Sequence, residues 1–495
     1  MAKITEIENL IRARYDFIYI NTAEEVRVND ELLNLARELD YNLAVWTFSS
    51  GLRTLVVDNS KINKVSSEKL DGDPVGILNH IRTSQENTIY VLNNYHSFLQ
   101  DVEVARTIKD TLQFIKDSYT PIVITSPVTK VPVELEKDVV IVDFDLPDEE
   151  VIRNIIKTAE DNLEIELKQE ELPNIIDACK GLTATEIQNV ISRSIIECGK
   201  INPKVILTEK KQIIKKNNIL EYIEPEETMN NIGGIKNLKE WLTRRGAAFT
   251  KEAREFGLPM PKGLMLTGVP GCGKSTVCKA VANLWGMPLL KLDMGAIMNS
   301  LVGASEENMR KVLQTATAVQ PCVLWIDEIE KGLSGTKSSN FSDGGTTSRV
   351  FATFLTYLSD KNDSVFVIAT ANDITSLPSE LLRKGRFDNL FFIDLPNEIE
   401  RAQIFKIHLE KRGRDPKKFN LNDLAEASEG FSGAEIEQSI VDALFDVFIM
   451  DAGSVDITTD NILTALNNQV PLSKTKEKDI RELRKQAEII AKPAN

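Results

Sequence analysis

The chain has 495 residues, 42% hydrophobic and 27% charged, which excludes a wholly disordered polypeptide and allows about three domains, each able to bury a core. Acidic side chains outnumber basic ones 74 to 59, and the net charge of −15 weighs against unspecific binding to nucleic acid or an anionic membrane. No apolar run approaches the ~18 residues of a membrane span, the start MAKITEIENLIRAR lacks a signal-peptide core, five cysteines without a Cys-x-x-Cys pair suit a reducing cytosol, and three scattered histidines offer no zinc-ligand spacing.

The first predicted strand is FIYINT, Phe17–Thr22, followed by a leucine-spaced helix over Glu24–Leu39. Further strands are predicted at Leu43–Phe48, Thr88–Leu92, Pro121–Thr125 and Val139–Phe144, with a helix at Val102–Asp117. This alternation implies a mainly parallel sheet with helices on its faces. From Asp148 to about Gly199 the pattern is helical. Residues 203–227 read as a connector, with lysines first (Lys204, Lys210, Lys211, Lys215, Lys216) and acids after (Glu221, Glu224, Glu226, Glu227). A solvated helix face explains so short a basic run better than a contact patch does.

Strand–helix alternation resumes after Asn231, with strands at Gly263–Gly268, Leu289–Asp293, Val323–Asp327, Val365–Thr370 and Leu390–Leu395. After Pro396 the chain is predicted helical to Asn495, and Lys337–Thr347 is a Ser/Gly-rich loop. The two halves read as one pattern used twice. Asp145-Leu146-Pro147-Asp148-Glu149 matches Asp394-Leu395-Pro396-Asn397-Glu398, and Gly181–Ile187 matches Gly430–Ile436, both at an offset of 249 residues. Pro132-Val133-Glu134-Leu135 resembles Pro378-Ser379-Glu380-Leu381 at an offset of 246. Three ordered matches at nearly constant offset point to a tandem repeat.

Gly268-Val269-Pro270-Gly271-Cys272-Gly273-Lys274-Ser275 fits the phosphate-loop pattern G-x-x-x-x-G-K-[ST], after a strand and before a predicted helix, Ser275–Leu284. Glycines let backbone N–H groups close around phosphate oxygens, and the helix N-terminus adds partial positive charge. Lys274 is expected on the β- and γ-phosphates, Ser275 on Mg²⁺ and Thr276 near the α-phosphate. The strand VLWID leads to Asp327-Glu328. At a buried strand's C-terminal end, Asp327 can hold Mg²⁺ through water and Glu328 can act as general base toward the attacking water. Asn372 follows the next strand, where it can contact the γ-phosphate or the water; taken alone, an ordinary turn asparagine explains it better. Arg383 and Arg386 precede the last strand and can stabilise a transferring phosphoryl group, or be ordinary surface arginines.

Together these residues resemble the AAA family of the AAA+ ATPases. Asn231-Ile232-Gly233-Gly234 is similar to the family's entry motif, which implies that Ile232 and Gly233 contact adenine. The phosphate loop (Val269, Pro270, Gly271, Cys272, Gly273, Lys274, Ser275 and Thr276) and Asp327-Glu328 resemble its Walker A and B motifs, and Asn372 its sensor 1. Arg383 and Arg386 resemble its paired arginine fingers, while His408, Gly433 and Ala434 fall where its helical lid touches the nucleotide. A fuller resemblance, including LPSELLRKGRFDNLFFIDLP and the late VPLSKT, is to a little-characterised AAA family encoded in cyanobacteria and algal plastid genomes.

Some features depart from the wider family. Leu301-Val302-Gly303 stands where remodelling members carry an aromatic pore loop, so Leu301 meets a threaded chain without aromatic area. Ser359-Asp360-Lys361 replaces an Asp-Gly-Phe intersubunit signal, and there is no sensor-2 arginine. In the N-terminal half, Ala23-Glu24-Glu25 replaces the phosphate loop, Asn93-Asn94 the acid pair and Leu135-Glu136-Lys137 the arginines, so no ATP hydrolysis is expected there.

The expected architecture is α/β: a degenerate AAA-like domain (1–146) with its helical subdomain (147–202), the connector (203–227), a P-loop AAA+ domain (228–396), and a helical lid with C-terminal helices (397–495). The resemblance implies a cytoplasmic Mg-ATP hydrolase forming a homo-oligomeric ring, a hexamer, that remodels a protein client. A slow ATP-gated scaffold is the alternative, and DNA remodelling is disfavoured by the charge.

Overall fold

Strands covered on both faces are apolar at nearly every position, and the runs Phe17–Asn21, Thr88–Asn93 and Ile122–Ser126 are buried almost end to end. The structure, a computed structural model, describes residues 2–495 apart from 59–60, 85–86, 117, 119, 164–166, 168–170, 216–218, 299–303, 334–345, 384 and 452–455. The chain divides into two units, Met1–Thr208 and Glu209–Asn495.

The first unit holds strands β1 (Phe17–Asn21), β2 (Asn42–Thr47), β3 (Gly51–Asp58), β4 (Lys61–Glu68), β5 (Thr88–Asn93), β6 (Ile122–Ser126) and β7 (Val140–Asp143), ordered β4-β3-β2-β5-β6-β1-β7. The second holds β8 (Leu220–Ile223), β9 (Gly263–Gly268), β10 (Leu289–Leu292), β11 (Cys322–Ile326), β12 (Val365–Ala371), β13 (Asn389–Ile393) and β14 (Lys492–Pro493), ordered β14-β13-β9-β12-β11-β10-β8. The five parallel strands β7-β1-β6-β5-β2 repeat the order of β13-β9-β12-β11-β10.

The three sequence matches fall at equivalent turns. Asp148 and Asn397 each accept a backbone N–H three residues on, opening the helices Glu149–Leu163 and Glu398–Lys411. Gly181 and Gly430 both have positive φ, and each precedes a reciprocal cap: Thr183 with Glu186, and Ser432 with Glu435. Leu135 and Leu381 are buried and donate N–H to Pro132 and Pro378. What repeats in the sequence is therefore the chemistry that starts helices and seats turns.

The structure differs from the sequence reading at the sheet edges. The hairpin β3–β4 extends the first sheet past β2; the polar run Asp58-Asn59-Ser60 between two β-branched stretches was its sequence signal. The stretch expected as a connector instead forms the helix Pro203–Lys215 and β8, which pairs antiparallel with β10. The all-helical C-terminal reading fails at β14, a two-residue strand alongside β13. In the second unit, two apolar layers flank the sheet. A third core, around Phe405, Leu409, Ile436 and Ile440, holds the lid helices together.

Candidate nucleotide site

β9 ends at Gly268, and the chain turns through residues 269–273 into the helix Lys274–Leu284. Gly268 adopts φ +145, and a Cβ there would lie 2.0 Å from the Ile393 carbonyl oxygen. Gly271 adopts φ +79, and a Cβ would meet Ser432 Oγ at 2.9 Å. These glycines are demanded by close approach to β13 on one side and the lid on the other. The Lys274 side chain is buried and donates to the carbonyls of Gly268 (2.8 Å) and Val269 (3.1 Å). Burial lowers its pKa, offset partly by Glu330, Glu328 and Asp327. Burial also pushes the Cys272 thiol up to about 12, which leaves it uncharged.

The acids lie just past β11. Glu328 sits at φ +48, a region disfavoured for a residue with a Cβ and typical of functional turns. Its N–H donates to Thr370 Oγ1 at 2.9 Å, and Thr370 Oγ1 donates to Asp327 Oδ1 at 2.7 Å. Asn372 Nδ2 donates to Glu328 Oε1 at 2.8 Å, while the Asn372 N–H is held by Glu330 Oε1 at 2.9 Å. Lys331 pairs with Glu328, and Lys291 stands 3.6 Å from Asp327. The parallel register β11–β12 brings these two strand ends side by side.

A cleft of about 520 Å³ joins these parts. It is lined by Ile232 and Gly233, by Pro270, Gly271, Cys272, Gly273, Lys274, Ser275 and Thr276, by Asp327, Glu328 and Asn372, and by His408, Gly433 and Ala434. Val269 lies buried beneath, its N–H on Ile393. The lid closes against the loop through the Ala434 N–H on the Gly271 carbonyl at 3.0 Å. His408 is half-buried, 3.4 Å from Glu437 Oε1, and burial lowers its pKa. The Ser275 hydroxyl and Asp327 carboxylate are hard oxygen donors facing one cleft, a set that fits Mg²⁺.

Arg383 and Arg386 do not line this cleft. Arg383 is exposed, and Arg386 is half-buried with Nη1 donating to the Leu355 carbonyl. Leu301, Val302 and Gly303 lie outside the described residues. Thr370, Glu330 and Asn495 belong to the site but were missed in the sequence. Thr370 sits two residues before Asn372 and Glu330 two after Glu328, positions that adjacent strand ends imply once the register is known. No sequence signal brings Asn495 to Ile235, yet its amide accepts the Ile235 N–H.

The corresponding strand ends of the first unit are built differently. Glu24 is buried, accepts the Ala184 N–H at 2.8 Å and pairs with Arg27 at 3.2 Å. Burial raises its pKa despite Arg27. Glu25 accepts from Asn93 Nδ2 (3.1 Å) and Asn94 Nδ2 (2.7 Å), and Asn94 adopts φ +56, as Glu328 adopts +48. Two carboxylates thus follow β1, at the place in the strand order where β9 of the second unit leads into its glycine-rich loop and Lys274.

Residues 264–395 match the family described as "ATPase family associated with various cellular activities (AAA)". Residues 3–144 match the SpoVK-like AAA ATPase N-terminal domain, and 149–217 its second domain. The chain is 39% identical over 491 residues to an uncharacterized AAA domain-containing protein, ycf46, of Guillardia theta, covering 98% of this chain and 94% of that protein. It is 38% identical to the protein so named in Trieres chinensis, over 94% of this chain and 93% of that one. The Pyropia yezoensis protein is 37% identical, over 97% and 96%. Among the described residues, no helix is long and apolar enough to cross a membrane.

Proposed function

Because this chain belongs to the AAA ATPase family, we propose that it is a Mg-dependent ATP hydrolase that works as an oligomeric ring and remodels a protein partner. The observation that carries the chemistry is the Asn372–Glu328 pair, at 2.8 Å, in the same cleft as Lys274. In this reading the loop N–H groups and Lys274 bind the phosphates. Asn372 orients the Glu328 carboxylate, which takes a proton from the attacking water. Ser275 and Asp327 would hold Mg²⁺, which when bound neutralises charge on the β- and γ-phosphate oxygens.

Assembly is inferred from two features. Arg383 is exposed and away from its own chain's cleft, so a trans role on a neighbouring subunit requires contact between copies. The lid helix Gly433–Asp451 exposes Phe445, Phe448 and Ile449 on one face, apolar area that assembly can cover. The test is ATP turnover against protein concentration, with Glu328→Gln as control. Specific activity rising with concentration is expected, with Glu328→Gln slower by about 10²-fold or more while still binding ATP. Turnover that survives Glu328→Gln would sink the reading.

One observation favours a slower, ATP-gated scaffold. Lys361, in the place of the family's intersubunit signal, is buried in an ion pair with Asp363 rather than presented at the surface. Under that reading turnover stays low at every concentration and rises when a partner is added.

A further inference from the structure

The entry loop of the cleft holds a conformation that its own sequence does not favour. Ile235 adopts φ +50, which is rare for a β-branched residue, and it caps the helix Lys236–Gly246 without a side-chain cap of its own. The capping partners come from the other end of the described chain. Asn495 Oδ1 accepts the Ile235 N–H, the Ala494 carbonyl accepts the Leu238 N–H at 3.1 Å, and Asn237 Nδ2 donates to the main-chain oxygen of Asn495 at 2.5 Å. Ala494 is 1% exposed, packs in the same core as Ile232 and Ile235, and donates its N–H to the Phe392 carbonyl.

This strap, residues 491–495, is also the way back from the lid. The helix Glu477–Ile490 precedes it, and Arg484 there grips Asp394 with three contacts of 2.8–3.0 Å. Asp394, Ile235 and Asn495 all line the cleft. The lid is thus joined to the α/β core twice, outward at Pro396–Asn397 and back through the strap.

We propose that the strap is part of the nucleotide site, with Asn495 a positioning residue that holds residues 232–235 in nucleotide-binding geometry and links their position to that of the lid. The proposal rests on the nucleotide reading above. Losing the strap frees the N–H groups of the strained Ile235 and of Leu238, so nucleotide affinity falls while the Asp327–Glu328–Asn372 set, which the strap does not touch, keeps its geometry.

The experiment is equilibrium binding of fluorescent N-methylanthraniloyl-ADP to the full chain, with steady-state ATP turnover alongside. Asn495→Ala is expected to weaken ADP binding about tenfold, the size of the one hydrogen bond it removes, from the Ile235 N–H. Asn495→Asp, which keeps the acceptor for Ile235, restores most of it. The ATP defect falls in KM rather than kcat. Ala494→Glu, which evicts the strap, gives a larger loss and faster hydrogen exchange over 232–242; should it not fold, Asn495→Ala decides. Wild-type affinity in Asn495→Ala, with binding abolished by Lys274→Ala, overturns the strap's role alone. A wild-type chain that binds no ADP overturns the nucleotide reading and the proposal with it.

Discussion

Glu330 shows how one side chain can serve a site without lining it. Its Oε1 holds the Asn372 N–H, while Oε2 is buried with no hydrogen-bond partner among the described residues. Burial raises its pKa above the ordinary 4.5, only partly offset by the Asn372 N–H and Lys274. A carboxyl whose folded pKa is raised costs stability once charged. That cost is complete above the folded pKa and gone below the unfolded value. Glu330→Gln keeps the acceptor and removes the charge, so it should raise the Tm at pH 8, with the gain shrinking to nothing near pH 4.5. Thermal melts across that range check this, and a gain independent of pH would point to packing instead. From the sequence, Glu330 was merely one more acid in DEIEK, because burial is a property of what packs over it.

At the scale of elements, the turn between the helix Thr346–Asp360 and β12 carries a buried ion pair. Lys361 Nζ lies 3.1 Å from Asp363 Oδ1 and also donates to the Val365 carbonyl. Asp363 Oδ2 accepts from Thr317 Oγ1 (3.0 Å) and Tyr357 Oη (2.9 Å). Burial lowers the lysine's pKa, and Asp363 pushes it back up. Removing one partner strands the other's charge in the core, so Asp363→Ala should cost about 3–5 kcal/mol, read as a lower urea midpoint. Replacing Lys361 and Asp363 together with apolar residues should cost much less, since no unpaired charge remains. The sequence displayed Lys361 as a departure from a family signal; only the packing of three elements around Asp363 gives it a structural role.

Across the whole molecule, two units share a strand order and differ in what their strand ends present. In the second, Lys274 and the loop glycines meet Asp327, Glu328 and Asn372. In the first, Glu24 and Glu25 are engaged by Ala184, Arg27, Asn93 and Asn94. Carboxylates repel phosphate, so titration calorimetry should find one ATP per chain, and Lys274→Ala should abolish all binding. A second site surviving in Lys274→Ala would mean that the first unit takes nucleotide after all.

The alternation of strands and helices and the phosphate loop were legible because each is local. A strand's apolar run, a capping side chain three positions from the N–H it accepts, and the eight consecutive residues of the phosphate-loop pattern all act over short stretches of chain. The tandem pattern was legible for the same reason, since helix starts such as Asp148 and Asn397 leave fixed sequence marks. Contacts that close only through space were hidden. The Thr370–Asp327 bond depends on the register of two strands 43 residues apart, and the Ile235–Asn495 contact spans 260 residues. No periodicity encodes such pairs, because their geometry is set by how sheet, lid and returning helix pack. By itself, then, the sequence determined the fold class and the chemistry available at one loop. The tertiary structure decided which side chains hold that loop in place, and it did so through burial and long-range hydrogen bonds.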